Sequence, residues 1–83
     1  MPTADDILPG LIDFLVKETG KKKSTIKKTT KLSQLLIDGF VLAGIGQDIN
    51  KLSWMHGVTV TLHELLACAT VGELATLLAK KLS

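Results

Sequence analysis

Arginine is missing from this chain, aromatic side chains are scarce, and cysteine occurs once, at Cys68. A lone thiol excludes an internal disulfide and a four-thiolate metal site, and it fits a reducing compartment, so a cytoplasmic location is expected. Aromatics make up 4% of the residues, as Phe14, Phe40 and Trp54. Base stacking needs such rings or arginine interleaved with positive charge, so nucleic acid is not an expected partner. No apolar run reaches the roughly eighteen residues of a membrane span, and no membrane association is expected. The opening MPTADDILPGLIDF is acidic and lacks the basic region, apolar stretch and small-residue cleavage site of a secretory signal.

What is present suits one small globular domain covering residues 1–83, with 46% apolar and 22% charged side chains. At this size a scaffold with a deep cleft and mobile loops is hard to build, so a binding or carrier module is expected rather than an enzyme. Ten lysines against eight carboxylates leave a formal charge of +2. The lysines are unevenly placed. Lys17, Lys21, Lys22, Lys23, Lys27, Lys28 and Lys31 cluster in the first half, offset only by Glu18, and could meet phosphate groups or an acidic protein surface.

Apolar residues Ile7, Leu8, Leu11, Ile12, Leu15 and Val16 recur at the spacing of one helix face. Thr3 with Asp6 reads as a capping box, whereas Pro9 suits a first helical position, so two starts are open; Gly20 is the expected stop. Residues 20–34, GKKKSTIKKTTKLSQ, read as a long connection anchored by Ile26 and Leu32. Leu35, Leu36 and Ile37 lead back to the core, and Asp38 is a good N-cap for a second helix reaching about Leu52, with Leu42, Ile45, Ile49 and Leu52 inward. Gly39, Ala43, Gly44 and Gly46 give that helix a smooth side, for close approach of a partner or for packing within the domain. Trp54 is expected to seal the core under the next connection, which turns at His56-Gly57. Thr61 with Glu64 and Thr70 with Glu73 repeat the capping box nine residues apart. The third helix must then be short, and the fourth runs from Val71 to about Lys81, burying Leu74, Leu77 and Leu78. An all-α, four-helix bundle follows.

The run Thr30-Lys-Leu-Ser-Gln-Leu-Leu-Ile-Asp-Gly-Phe40 resembles the segment of acyl and peptidyl carrier proteins that leads into their second helix. Leu32, Leu35, Ile37 and Asp38 fall where that family has leucine, leucine, a hydrophobic residue and aspartate. The stretch from Val58 to Leu78, especially Ala69-Thr-Val-Gly-Glu-Leu-Ala75, is similar to the family's third and fourth helices. The resemblance implies a four-helix acyl-carrier-protein-like bundle, with a long loop between helices one and two and a short third helix. It also implies partners that are the catalytic or adjacent domains of a polyketide-type megasynthase, and a domain that is monomeric when isolated.

One departure governs the function. Where the family has the serine that carries 4′-phosphopantetheine, this chain has Gly39, and Phe40 follows in place of leucine. Glycine offers no oxygen nucleophile, so no cofactor is expected on the chain as written. Ser33 and Ser53 are the displaced candidates, but neither follows an aspartate at a helix start. The expected role is a degenerate carrier domain for docking or spacing. A carrier whose serine was replaced at position 39, natively shuttling thioester-bound intermediates, is the alternative. A helical adaptor holding an acidic partner through its lysine loop is the second.

The expected partner face is Asp38, Phe40, Ala43 and Gln47 around Gly39, joined by Lys21, Lys22 and Lys23. Phe40 is either an exposed apolar anchor or a ring tucked against the first connection. Helix two carries only Asp38 and Asp48 as acids, unlike the acidic second helix of stand-alone fatty-acid carriers. No metal site is expected, since His56, His63 and Cys68 have no ligand spacing, and no nucleophilic triad is expected of His63, Glu64 and Cys68, which lack a glycine-rich oxyanion element.

Overall fold

A computed structural model describes residues 2–35 and 38–83. Four α-helices, α1 (Ala4–Thr19), α2 (Gly39–Asn50), α3 (Leu62–Leu66) and α4 (Val71–Leu82), are joined by segments with short 3₁₀ turns at Lys23–Thr25, Leu32–Leu35 and Ser53–Met55. Among the described residues the only extended pairing is an isolated antiparallel bridge between Lys31 and Thr70. The expected leucine-to-isoleucine lead into α2 includes Leu36 and Ile37, which lie outside the described residues.

Capping decides where α1 begins. The Thr3 hydroxyl accepts the Asp6 N–H at 3.2 Å, and the Asp6 carboxylate accepts the Thr3 N–H at 2.9 Å. Two otherwise unpaired donors are thereby satisfied, which carries the helix past Pro9 instead of starting there. Pro9 deprives the helix of one internal bond, and its ring lies on the exposed side. The helix stops at Gly20, whose φ of 71° puts it in the left-handed region that glycine adopts without strain.

The long first connection is pinned at both anchors, with Ile26 and Leu32 buried. Its backbone is also stitched to the start of α4. Leu32 N–H donates to Ala69 at 2.9 Å, Val71 N–H to Thr30 at 2.9 Å and Gly72 N–H to Lys28 at 2.8 Å. Side-chain ties add Lys27 N–H to the Thr30 hydroxyl at 2.9 Å and Lys31 N–H to Gln34 at 3.0 Å. A lysine-rich stretch with few apolar residues is thus tied to the fold at several points along its length.

Leu42, Ile45 and Ile49 bury their side chains from α2, as their spacing requires, but Leu52 lies beyond the helix and is half-buried. The helix ends at Asn50 because that side chain turns to the second connection, accepting the Val60 N–H at 2.8 Å and donating to its carbonyl at 3.2 Å. Within that connection Met55 is fully buried, and Trp54 is only half-buried, with its indole beside Gly10 of α1. The flexible thioether, not the indole, fills the core there. His56 and Gly57 turn the chain with φ of 52° and 80°.

Thr61 and Glu64 cap α3 reciprocally. At α4 the Thr70 hydroxyl accepts the Glu73 N–H at 3.1 Å, but the Glu73 carboxylate accepts from Ala69 at 3.1 Å, one residue earlier than a capping box requires. Leu74 and Leu78 of α4 are buried, whereas Leu77 is half-buried. The core joins Leu11 and Leu15 of α1, Ile49 of α2, Met55, Leu65 of α3 and Leu74 and Leu78 of α4. Every buried residue among those described is apolar or glycine.

Candidate functional site

The first turn of α2 is fixed by Asp38. Its backbone is extended and its carboxylate accepts the Val41 N–H at 2.9 Å, so the next residues enter the helix with their N–H groups forward. Gly39 and Phe40 occupy that turn and are exposed. Phe40 is 90% exposed, so its ring projects into solvent and does not tuck against the first connection.

Four large apolar side chains are exposed among the described residues: Phe40 at 90%, Leu66 at 56%, Val41 at 44% and Leu62 at 42%. All four belong to α2 or α3, which pack on each other. The exposed leucines on α3 have no signal in the sequence: Leu62, Leu65 and Leu66 stand at i, i+3 and i+4, the spacing of one inward helix face, yet only Leu65 is buried. Gly46 explains how α3 comes so near, since a Cβ there would lie 2.6 Å from Leu65 Cδ1. Its smoothness serves packing inside the domain. Gly44 has open space beside it, and a Cβ on Gly39 would meet only Leu66 Cδ2, at an ordinary 3.8 Å.

A groove of about 400 Å³ opens at the start of α2, lined by Lys31, Ser33, Asp38, Gly39, Leu42 and Leu66, with Leu32, Cys68 and Ala69 completing it. A shallower hollow of about 290 Å³ lies farther along α2, between Ala43, Gly46 and Gln47 on one side and Leu62 and Leu65 on the other. The expected residues Asp38, Phe40 and Gln47 are exposed, and Ala43 is half-buried. Lys21, Lys22 and Lys23 are exposed in and beside the Lys23–Thr25 turn, and the groove takes its lysine from Lys31 instead.

The lysine cluster is offset by more than Glu18. Lys23 pairs with Asp13 at 3.0 Å and Lys28 with Asp5 at 3.4 Å, both on the solvent-exposed side of α1. Such exposed pairs contribute little to stability but mute the local field. Near the groove, Glu64 pairs with Lys81 at 2.7 Å, and its carboxyl is held below the ordinary range by that ammonium and by the Thr61 N–H. Glu73 is engaged by the Ala69 N–H. Neither acid is spare.

The Cys68 thiol contacts the Glu64 carbonyl at 3.7 Å, and burial, followed by the charges of Glu73 and Glu64, pushes its pKa up. A thiol so placed stays protonated and is a poor nucleophile at neutral pH. The groove therefore combines an apolar wall, a hydroxyl at Ser33, and one charge of each sign, which suits recognition better than bond-making. At its mouth Gly39 supplies no oxygen to which a phosphopantetheine arm could be joined, and the groove's hydroxyl, Ser33, lies in the Leu32–Leu35 turn and not after the capping aspartate, so the start of α2 does not fit that group.

A larger cavity of about 500 Å³ lies elsewhere, lined by Ile7, Gly10, Trp54, His56 and Leu82. Among the described residues no three of His, Cys, Asp and Glu gather to hold a metal ion, and no helix is long and apolar enough to cross a membrane. No family model, curated protein or solved structure matches the chain.

Proposed function

We propose that this chain is an acyl-carrier-like domain that cannot accept phosphopantetheine and that serves docking or spacing within a polyketide or mixed peptide-polyketide synthase. The supporting observation is the first turn of α2, where an aspartate-capped, exposed position holds glycine. Phosphopantetheinyl transfer forms a phosphoester to a hydroxyl oxygen and expels adenosine 3′,5′-bisphosphate from coenzyme A, and a glycine hydrogen cannot take that part. The exposed apolar residues beside this turn support a contact role for the face that remains.

Incubation with a broad-specificity phosphopantetheinyl transferase and coenzyme A, followed by intact mass measurement, tests the reading. The unaltered chain is expected to keep its mass. A gain equal to the pantetheine arm on any residue, Ser33 or Ser53 included, overturns it.

One observation favours the second reading, a carrier whose serine has been replaced at position 39. Gly39 has no positive φ and no close neighbour, so nothing in the backbone demands glycine there. The Gly39→Ser variant separates the two. Efficient modification of that variant means that the recognition surface for the transferase is intact and the serine was lost from a working carrier. A resistant variant means that the surface itself has diverged.

A further inference from the structure

We propose that the α2–α3 face binds an acidic protein surface with an apolar depression, Phe40 filling the depression and Lys31 meeting the acid. This rests on the docking reading above and names the partner's chemistry. Three observations carry it.

The apolar part is concentrated. Phe40, Val41, Leu62 and Leu66 are the exposed large apolar residues among those described, and all belong to two neighbouring helices. Aromatic anchors of this kind dominate small interfaces.

The positive part is unspent and held in place. Lys23, Lys28 and Lys81 have carboxylate partners, whereas among the described residues none pairs with Lys17, Lys21, Lys22, Lys27, Lys31, Lys51 or Lys80, and of these Lys31 is the one that lines the groove. Lys31 lines the same groove as Gly39 and Leu66, and its backbone is fixed by the Gln34 side chain and by the bridge to Thr70. Ordering this lysine costs a partner less entropy than ordering one on a loose loop.

The sign pattern selects a protein over other polyanions. Asp38 lines the groove together with Lys31. A phosphate backbone or an anionic bilayer presents negative charge everywhere and would be repelled by Asp38. A protein surface can set a carboxylate against Lys31 and a donor against Asp38. The missing arginine and the lack of aromatics among residues 17–31 point the same way.

The test uses the whole chain, isotope-labelled for NMR, and a synthetic amphipathic peptide with glutamates on one face and leucines on the other. Saturable one-to-one binding is expected, with shifts at Lys31, Gly39–Ala43 and Leu62–Leu66. Lys31→Glu and Phe40→Ala should each weaken it about tenfold, and Lys51→Glu by less than about twofold. Each variant is first checked for an unchanged fold by its amide spectrum. Loss of affinity that depends on total charge alone, with Lys51→Glu as damaging as Lys31→Glu, overturns the proposal. So does tighter binding, through the same residues, of a single-stranded oligonucleotide or of phosphatidylserine vesicles. The mass measurement with the transferase is independent of this titration, so a failure of one reading is distinguishable from a failure of the other.

Discussion

The α1–α4 pair and the α2–α3 pair are built to different ends. The first unites helices of 16 and 12 residues that pack against each other and supply Ile7, Leu11, Phe14, Leu15, Val71, Leu74, Ala75 and Leu78 to the core. The second sets a helix containing Gly39, Gly44 and Gly46 against one of five residues, and it carries all the large exposed apolar side chains among the described residues. Interior glycines cost helix stability, and exposed leucines and phenylalanine contribute none. The α1–α4 pair therefore supplies the larger share of the core, to which α2 and α3 add Leu42, Ile45, Ile49 and Leu65, and the exposed contact surface lies in the second pair.

The sharpest way to break that division is truncation on each side. Leu15→Ala in α1 removes a side chain with no exposure and should cost about 3–4 kcal/mol, a large share of the stability of so small a domain. Phe40→Ala and Leu66→Ala, on exposed sites, should each change stability by less than about 0.5 kcal/mol. Urea unfolding followed by circular dichroism measures both. A cost for Phe40→Ala that rivals that of Leu15→Ala would mean that the ring is part of the core in solution.

A second contrast uses glycine alone. At Gly72 a Cβ would stand 2.9 Å from the Lys28 carbonyl oxygen and 2.8 Å from Lys28 Cγ, at the point where the lysine-rich connection is tied to α4. Gly72→Ala should destabilise by about 1–2 kcal/mol and speed hydrogen exchange at the Gly72 and Val71 amides, because backbone must move. At Gly44 nothing lies within 4 Å, so Gly44→Ala should stabilise by about 0.5–1 kcal/mol through helix propensity. If Gly44→Ala also weakens the acidic peptide in the titration above, its smoothness belongs to the interface.

Capping chemistry made most of the architecture legible. Thr3-x-x-Asp6, Asp38 and Thr61-x-x-Glu64 each mark a helix start that the backbone adopts, because one side-chain oxygen meets one orphan N–H a fixed distance along the chain. The burial of Ile26 and Leu32 was legible too, as lone apolar residues in a polar run. What depends on three-dimensional closure was not. Met55 and not Trp54 fills the core from the Ser53–Met55 turn, and three neighbouring residues carry no periodicity that would say which of them points inward. Asn50 ends α2 through a bond to Val60 ten residues away. Lys31 reaches the groove through backbone pairing with the start of α4, and nothing in the composition of its segment ranks it above Lys21, Lys22 or Lys23.

The smallest expected effect is in the pH dependence, and its two limbs come from the two pairs. Glu64 of α3 has its carboxyl lowered by the Lys81 ammonium and the Thr61 N–H, from an ordinary value of 4.5. A lowered folded-state value contributes stability above that ordinary value and loses it as pH falls through the folded one. Asp6, lowered by its bonds to Thr3, acts on the same acid limb from α1. Glu18, near the end of α1, is raised, first by a desolvation that its otherwise exposed position keeps slight and then by Asp48 of α2. Its sign is opposite: the ionised carboxylate is disfavoured in the fold, so stability falls as pH rises from its ordinary value of 4.5 through the raised one. Thermal midpoints should therefore peak on the mildly acidic side and decline in both directions. Glu18→Gln should raise the midpoint at neutral pH and flatten the upper limb, leaving the acid limb in place. Glu64→Gln should do the reverse, lowering the midpoint at neutral pH and flattening the acid limb. An unchanged profile in Glu18→Gln would show that the two carboxylates of α1 and α2 stay apart in solution, and with them the ends of the helices that bridge the stable pair and the contact pair.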